Sequence, residues 1–466
     1  MKINELIEKI RGSLKEEDLI PVKTIFEYSE NENIEWLHSL IPNTFSSYKQ
    51  IQKLADKLKV PIEHFFINTK GIYPSLVYFH SGLFLEIDSL DDKYIEDFKI
   101  KEKINHCLNV LTTTIKERKY EKFFSLIDSR IKIIMFKHYF NDIQDENLYD
   151  IFLNIYTSID YGFTEFNEKH FARIIECKKI KDQQEIEKAL KNKTDKNGYI
   201  TIYRGIGNKS TPINKAYSWT TNISVATFFA FRFTTGDIYT GKIHIKDIIT
   251  YTNGRNEEEI LAFYEKIKDV KKINFLTIDE IYNTFPKLKN NFNIESQDIK
   301  SSYFLNPTGI HGLLHTKRVL FNVLVLCYYE GIKEKSQDLL LAAAKYHDIG
   351  RINDDKDETH GILSFKKAMS MNLIKSCCLY DDTLKFIIEN HCIPDNKAYE
   401  NIKNYNINNI DETKKLYNIL CDADSIDRIR FRDIKIEYLR TNTAKRMIAL
   451  AQQIYNNINL LDIQNS

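Results

Sequence analysis

Histidines and aspartates are concentrated in the last third of the sequence. Five of the twelve histidines lie between residues 311 and 391, in stretches with the apolar spacing of helices. His347 and Asp348 end one apolar run, and Asp422 and Asp424 follow downstream. One histidine on an apolar face is usually a packed core residue, but five beside paired carboxylates are hard to explain by packing. Because imidazole and carboxylate groups are common ligands of transition metals, the pattern predicts a metal site.

The order of these residues resembles that of the HD superfamily of metal-dependent phosphohydrolases. The stretches HTKRV, HDIGR, THGILS and DADSIDRIR match that family's motifs, over roughly residues 305 to 445. The resemblance implies an all-α domain that hydrolyses a phosphate-containing substrate with two divalent ions, which would be Mn, Fe, Zn, Co or Ni. The implied ligands are His315, His347, Asp348 and Asp424 for the first ion, and His360 and His391, with Asp348 as the bridge, for the second.

Several assignments around this site stay open. Asp422 is the alternative to Asp424 as the last ligand, or a partner behind the ligands. His311 is as consistent with a structural or substrate-facing role as with metal ligation. The basic residues that are candidates for holding substrate phosphate are Lys317, Arg318 and Arg351.

A second group of chemistry-bearing residues lies in the β-rich middle of the chain. Arg204 ends the strand-like run IYRG. In YSWTT, the alternation of a strand puts Ser218 and Thr220 on one face, and in RNEEEIL it puts Glu257 and Glu259 on one face. Each piece alone is a weak signal, since exposed arginines and solvated acidic runs are common. The informative feature is the three pieces in this order.

The three pieces resemble the Arg, Ser-x-Thr and Glu-x-Glu pattern of mono-ADP-ribosyltransferases, over roughly residues 198 to 275. The resemblance implies a split β-sheet domain with NAD as its substrate. Glu259 would stabilise the oxocarbenium-like ribose that forms when nicotinamide leaves, and Glu257 would position or deprotonate the acceptor. Arg204 would bind the diphosphate through its planar fork, and Ser218 would brace Glu259 and the ribose. The other implied NAD contacts are Tyr203 and Thr220.

The aromatic residues of this segment have two interpretations. Trp219, Phe228 and Phe229 are candidates for stacking on NAD or for the core, and the core is favoured for the two phenylalanines. The acceptor is an unidentified macromolecule, since both protein side chains and nucleic-acid bases remain open.

The sequence predicts a multidomain α+β protein with a helical N-terminal region. Residues 3–15 have helical spacing, and residues 46–66 resemble the closing helices of Cro-type helix-turn-helix domains, with a small helical bundle as the alternative. The predicted divisions are a small helical domain at 1–70, a helical region at 71–190, an ADP-ribosyltransferase domain at 191–300 and an HD domain at 301–466.

Composition excludes several other classes. The chain has 66 basic and 65 acidic residues, so no global field favours nucleic acid or an anionic membrane. Its seven cysteines show no CxxC pair or disulfide-framework spacing, which indicates reduced thiols. No apolar run approaches the roughly 18 residues of a membrane span, and the N-terminus has no apolar signal core. We therefore expect a cytoplasmic protein without a membrane partner, or one delivered into another cell as an effector.

Together the two resemblances predict a bifunctional enzyme of the kind found in toxins, phage-conflict systems or effectors. An NAD-dependent mono-ADP-ribosyltransferase would modify a macromolecular target. A metal-dependent phosphohydrolase would act on the resulting ADP-ribose or on an unrelated nucleotide. The alternative is a regulatory DNA- or partner-binding protein whose degenerate enzyme folds sense nucleotides. NAD consumption and retained metal distinguish these two predictions.

Overall fold

The computed structural model describes residues 19–23, 48–68, 75–80, 82–87, 99–159, 166, 168–208, 210–232, 236–374 and 381–461. The chain is a mixed α+β protein that divides into two compact units, Met1–Glu185 and Ile186–Ser466. This division falls close to the boundary predicted at residue 190. The regions predicted as 191–300 and 301–466 lie together in the second unit.

The first unit contains a four-stranded antiparallel sheet that the sequence analysis did not predict. Its strands, in the order β1 to β4, are Leu19–Pro21, Phe65–Asn68, Ser75–His80 and Leu83–Ile87. The third strand reads SLVYFH, and its four central residues are buried. Gly82 has φ 86° between the paired strand ends His80 and Leu83, as a tight hairpin turn requires. The expectation of a wholly helical N-terminal region is therefore wrong, because such a short apolar run shows no period.

Helices form the rest of the described part of the first unit. They are α1 (Tyr48–Leu58), α2 (Ile100–Lys116), α3 (Tyr120–Leu126), α4 (Ser129–Tyr139), α5 (Asp145–Ser158), α6 (Glu168–Glu176) and the first half of α7 (Ile180–Leu190). α1 lies within the segment 46–66 predicted as helix, and the helix predicted at 3–15 lies outside the described residues. The aromatic side chains of Phe123, Phe136 and Phe152 are buried, as the helical spacing of this region predicted.

The second unit begins with a six-stranded antiparallel sheet in the order β10-β7-β5-β6-β9-β8. Its strands are β5 (Tyr199–Ile206), β6 (Ser218–Thr220), β7 (Asp237–His244), β8 (Thr250–Thr252), β9 (Glu259–Leu261) and β10 (Lys268–Lys272). Tyr203 of β5 pairs with Thr220 of β6, which in turn pairs with Glu259 of β9. The three motif pieces of this segment therefore lie on, or directly beside, three neighbouring strands.

The two faces of this sheet are covered by different elements. On one face, Ile186 and Leu190 of α7 share a core with Ile202 and Trp219. The other face is covered by α8 (Ile223–Phe231), whose N-terminus is capped by a side chain: the Asn222 carbonyl oxygen accepts from Ser224 N at 2.9 Å. Each face of the sheet is thus packed against a helix.

The remaining helices of this unit form its helical part. They are α9 (Ile278–Thr284), α10 (Leu288–Ser296), α11 (Leu313–Glu330), α12 (Glu334–Tyr346), α13 (His360–Ser370), α14 (Asp382–Asn390), α15 (Asp395–Asn401), α16 (Ile410–Asp427), α17 (Asn442–Arg446) and α18 (Ile448–Asn456). α11 is buried almost all round over residues 315–327, which is typical of a central helix. Among the described residues, no helix is both long and apolar enough to cross a bilayer.

The sheet and the helical part share one hydrophobic core. Ile223 and Phe231 of α8 belong to the same buried cluster as Leu450 of α18. Polar contacts join the same elements, since Asn456 Nδ2 donates to Phe231 O at 2.9 Å and Asn222 Nδ2 donates to Arg432 O at 3.1 Å. Residues 186–466 therefore form one packed body that contains both sets of predicted site residues.

Candidate metal centre and strand site

Four imidazoles of the helical part are fixed in one tautomer. The Nδ1–oxygen distances are 2.8 Å from His315 to Asp427 Oδ2, 3.0 Å from His347 to Ala344 O, 2.7 Å from His360 to Asp357 O, and 2.8 Å from His391 to Ile388 O. Carbonyl and carboxylate oxygens only accept hydrogen bonds, so each Nδ1 is the donor. Each Nε2 atom is therefore the nitrogen available to a metal.

These Nε2 atoms face each other in two pairs, with Asp348 between them. They are 3.3 Å apart in His315 and His347, and 3.0 Å apart in His360 and His391. Asp348 Oδ2 lies 3.3 and 3.6 Å from the first pair, and its Oδ1 lies 3.1 and 3.6 Å from the second. Asp348 therefore presents one oxygen to each pair, as a bridging carboxylate does.

Asp424 completes the first set of donors. Its Oδ1 lies 3.4 Å from His315 Nε2. Ligand atoms about 2.0–2.2 Å from a zinc-like ion lie roughly 3.0–3.6 Å from one another, and the separations in both sets match that spacing. We call His315, His347, Asp348, His360, His391 and Asp424 the metal centre.

The alternative ligand, Asp422, lies in a different hydrogen-bond network. Its carboxylate accepts from the backbone nitrogens of Arg440 at 2.9 Å and Thr441 at 2.7 Å, and from the Thr441 hydroxyl at 2.9 Å. Asp422 therefore anchors the chain after α16, and Asp424 is the one of the two that faces the histidines.

Two glycines let the ligand-bearing helices approach each other. A Cβ atom at Gly350, just after α12, would lie 2.1 Å from the backbone nitrogen of Ser364 in α13. A Cβ at Gly361, beside His360, would lie 2.5 Å from the carbonyl oxygen of Ile388 in α14. Both separations are below any tolerable contact, so the motifs HDIG and HG carry glycine because the backbones meet there.

The electrostatics of the metal centre favour a positive charge. Burial alone would lower the pKa of His315, but its hydrogen bonds to Asp348 and Asp427 raise it to about 9. Burial lowers the pKa of His347 to about 4. The pKa of Asp348 is well below its usual range, because His347 and the surrounding imidazole donors outweigh the effect of burial. The carboxylates that favour a proton on His315 equally favour a metal ion, so the donor set fits the two ions expected.

The other polar residues predicted near this site have distinct positions. His311 Nδ1 donates to Asp348 Oδ2 at 3.0 Å, and Arg351 Nε donates to Asp348 Oδ1 at 3.1 Å. Arg318, a candidate for holding substrate phosphate, is buried against Asp427 with Nε 2.5 Å from Oδ1, so its guanidinium is engaged with that carboxylate. Lys317 is also buried, and burial lowers its pKa.

Sequence reasoning missed two residues of this site. Asp427 accepts a hydrogen bond from His315 Nδ1, on the side of the ring away from the other ligands. The same carboxylate accepts hydrogen bonds from Arg318 and Arg430. Burial opposes its charge, but hydrogen bonds from His315 and Arg318 lower the pKa of Asp427 to about 2. The stretch DADSID contains this aspartate one helical turn after Asp424, a spacing that could have identified it.

The second missed residue is Cys392. Its thiol lies near the second pair of histidines, with the potential ligand atoms of His360, His391 and Cys392 all within 4.8 Å of one another. Burial raises the pKa of this thiol. Its position directly after His391 was the only signal in the sequence.

Four of the residues predicted to act on NAD lie on or directly beside β6 and β9, and we call them the strand site: Ser218, Thr220, Glu257 and Glu259. Ser218 Oγ donates to Glu259 Oε1 at 2.5 Å across β6 and β9. Thr220 Oγ1 donates to the carbonyl oxygen of Glu257 at 2.6 Å, which fixes the turn before β9. The predicted bracing of Glu259 by Ser218 is therefore present in the geometry.

Glu258 points away from this site, as the alternation of the Glu-x-Glu stretch predicted. Its carboxylate forms an ion pair with Lys193 and accepts from Thr221 Oγ1 at 2.6 Å. Burial opposes its charge, but these two partners lower the pKa of Glu258. Its backbone has φ 47°, a left-handed conformation that separates the side chains of Glu257 and Glu259 from its own.

Arg204 does not lie on the face of the strand site. Tyr203 pairs with Thr220, so Tyr203 shares the face of Ser218 and Glu259. Arg204, the next residue, is on the opposite face with Ile202, and its Nη1 donates to the backbone carbonyl of Ser218. The alternation of β5 therefore makes Arg204 a brace between two strands, which removes the geometric basis for its predicted contact with the NAD diphosphate.

The three aromatic residues considered for NAD stacking or for the core lie in different environments. Trp219 is fully buried in the core beneath α7. Phe228 and Phe229 are half-buried, so their predicted place in the core is wrong. Each ring instead faces a guanidinium: Arg432 Cζ is 3.5 Å from the Phe228 centroid and Arg232 Cζ is 5.0 Å from that of Phe229.

Comparison with protein-family models, curated proteins and solved structures finds no match to this chain. The functional interpretation below therefore depends on the motifs and on the geometry of the two sites.

Proposed function

We propose that the second unit is a bifunctional enzyme, in which the metal centre is an HD-type phosphohydrolase and the strand site is an NAD-dependent mono-ADP-ribosyltransferase. The observation that carries the proposal is the position of Asp348. One of its oxygens faces His315 and His347, and the other faces His360 and His391. A buried carboxylate between two pairs of imidazoles with available Nε2 atoms is an arrangement suited to binding two metal ions in a hydrolase.

The protein residues around the metal centre have separable roles in this proposal. His315, His347, Asp348 and Asp424 would hold one ion, and His360 and His391 the other, with Asp348 shared. Two bound ions supply activation of water and neutralisation of phosphoryl oxygens. The half-buried side chains of His311 and Arg351 lie beside Asp348, so they are placed to donate hydrogen bonds to a phosphate.

The strand site supports the transferase through the contact between Ser218 and Glu259. A carboxylate held by a neighbouring hydroxyl is preorganised, so it can stabilise positive charge on a ribose without rearrangement. Glu257 lies on the turn before β9 and is the candidate for activating the acceptor. A macromolecular acceptor, whether protein or nucleic acid, would have to reach this turn.

One experiment tests the hydrolase directly. Purified protein is loaded with Mn²⁺, Zn²⁺ or Co²⁺ and assayed against a phosphodiester, nucleoside triphosphates, and free or protein-linked ADP-ribose. We expect metal-dependent hydrolysis of at least one class, and loss of that hydrolysis in Asp348→Asn. Metal retention without hydrolysis of any phosphate would instead favour a nucleotide-sensing protein.

A second experiment tests the transferase. Nicotinamide release from NAD is measured with and without a lysate of acceptor proteins and RNA. Glu257→Gln should reduce transfer to the acceptor more than simple NAD hydrolysis, because its proposed role concerns the acceptor. Equal losses of both reactions would reject that separate role.

A further inference from the structure

The strand site requires a cation for the diphosphate of NAD, and Arg204 lies on the other face of the sheet. The segment 428–438, which follows α16 in the helical part, approaches the strand site instead. We call it the linking segment. It begins beside the metal centre, since Asp427 precedes it, and it ends near the sheet.

Two hydrogen bonds fix the linking segment against the start of α8. Asn222 Nδ2 donates to Arg432 O at 3.1 Å, and Ser224 Oγ donates to Ile434 O at 3.3 Å. Asn222 is itself tied to the strand site, because its backbone nitrogen donates to Thr220 Oγ1 at 2.9 Å. Thr220 pairs directly with Glu259. A short chain of contacts therefore connects Arg432 to the proposed catalytic carboxylate.

The linking segment lies on the same face as the strand site. The segment is hydrogen-bonded to the start of α8, and α8 covers the face of the sheet opposite Trp219; burial and the charge of Glu437 also raise the pKa of Tyr203 on β5. Tyr203 shares its face with Ser218 and Glu259 through the pairing of β5, β6 and β9. The linking segment thus borders the surface that NAD would occupy.

Two basic residues of this segment, Arg432 and Lys435, are exposed and form no ion pair among the described residues, and of the two only Arg432 has the planar guanidinium that suits a diphosphate. Its side chain is exposed and stacks on Phe228, and among the described residues no carboxylate pairs with it. Stacking uses the face of the guanidinium and leaves its in-plane N–H donors for a second partner. By contrast, Arg428 forms an ion pair with Asp433, and Arg430 forms one with Asp427.

We propose that Arg432 binds the diphosphate of NAD at the strand site. The proposal rests on the transferase function proposed above and assigns its phosphate contact to a residue of the helical part. A planar guanidinium held by an aromatic ring can donate two charge-assisted hydrogen bonds to phosphate oxygens. The transferase site is then composite, and residues 191–300 alone do not contain all of it.

The test compares Arg432→Ala with Arg232→Ala, a matched control that removes the arginine stacked on the neighbouring ring of Phe229. NAD cleavage kinetics are measured with ADP and nicotinamide as competing inhibitors, because only ADP carries a diphosphate. For Arg432→Ala we expect the KM for NAD and the inhibition constant for ADP to rise by about ten- to a hundredfold, the scale of one charged hydrogen-bond pair. Inhibition by nicotinamide, kcat and bound metal should change little, and Arg432→Lys should recover part of the loss.

The possible failures are distinguishable. If the wild-type protein cleaves NAD and Arg432→Ala leaves ADP inhibition unchanged, the assignment of Arg432 is overturned and the transferase proposal stands. Equal weakening of ADP and nicotinamide, or equal effects of Arg232→Ala, would show a general disturbance of the site and would also overturn it. No NAD cleavage by the wild type would overturn both proposals.

Discussion

The metal centre and the strand site differ in how strongly their residues are held. Every histidine of the metal centre is fixed on two sides, by an oxygen behind Nδ1 and by other ligands in front of Nε2. In the strand site, the Glu259 carboxylate accepts a hydrogen bond from the flexible hydroxyl of Ser218. The first site is buried between helices, whereas the second is half-buried on short strands.

This difference matches the chemistry proposed for each site. A metal site must hold several donors at one spacing, so it gains from rigid helices and buried supporting groups. A site that admits NAD and a macromolecular acceptor must stay open, and it can be completed by a residue from a neighbouring segment. We therefore expect a substitution in the metal centre to disturb several metal ligands at once. A substitution in the strand site should remove only the role of the residue that is replaced.

The largest expected effect is that of Asp348→Ala on phosphohydrolysis. Removing the shared carboxylate disrupts both ions, so hydrolysis should fall by about a thousandfold or more, the scale of several kcal/mol of metal catalysis. NAD cleavage by the same variant should stay near the wild-type rate, because the contacts of Asp348 are with His311, Arg351 and the histidines of the metal centre. Parallel assays of both reactions check this, and loss of both together would contradict the separation of the two sites.

The next largest effect is that of Glu259→Gln on NAD cleavage. The amide keeps the shape of the side chain but removes its charge, so the rate should fall by about a hundredfold or more. Glu258→Gln is the matched control, since Glu258 faces Lys193 on the other side of the strand. Nicotinamide release measures both variants. Similar rates for Glu259→Gln and the wild type would refute the proposed role.

A smaller effect is expected for Asp427→Asn, which weakens the support behind His315. Removing a carboxylate that orients a metal-bound histidine typically costs about ten- to a hundredfold in metal affinity. The first ion should be affected and the second retained, which competition with a chelator can resolve. Asp433→Asn, which replaces a half-buried carboxylate of the linking segment paired with Arg428, serves as the control. Equal weakening of both ions would show that Asp427 acts on the whole fold.

The smallest effect is expected for Cys392→Ser. A thiol beside His360 and His391 adds a soft donor, which favours zinc over manganese. The substitution should lower the Zn²⁺ preference of the second site without changing the number of ions bound. Competition between the two metals, followed by elemental analysis, measures this. An unchanged preference would exclude sulfur from the donor set.

The sequence predicted much of the metal centre because its motifs are short and local. HDIGR places two ligands side by side, and the helical spacing of their neighbours shows that they lie on buried helices. The choice between Asp422 and Asp424 required the structure, since both aspartates lie on α16 and only the direction of each side chain separates them. Asp427 was missed although it lies within DADSIDRIR, one helical turn after Asp424, and Cys392 was missed because its position after His391 was the only signal of its role.

The strand site and the first unit were harder to predict for two different reasons. Arg204 matched a motif, but the register of β5 puts it on the opposite face from Ser218, and sequence order alone does not give that register. The sheet of β1 to β4 was missed because LVYF is too short to show a strand or helix period. The contact of Arg432 with the start of α8 joins positions 210 residues apart, beyond the reach of any local pattern.

The metal content of the purified chain tests the central claim most directly. Elemental analysis of wild-type protein loaded with Zn²⁺ or Mn²⁺ and then desalted should give two ions per chain. His347→Ala and His391→Ala should each retain about one, and Asp348→Ala should retain neither, because Asp348 is the shared ligand. One ion in the wild type, or full occupancy in Asp348→Ala, would contradict a two-metal centre bridged by this carboxylate.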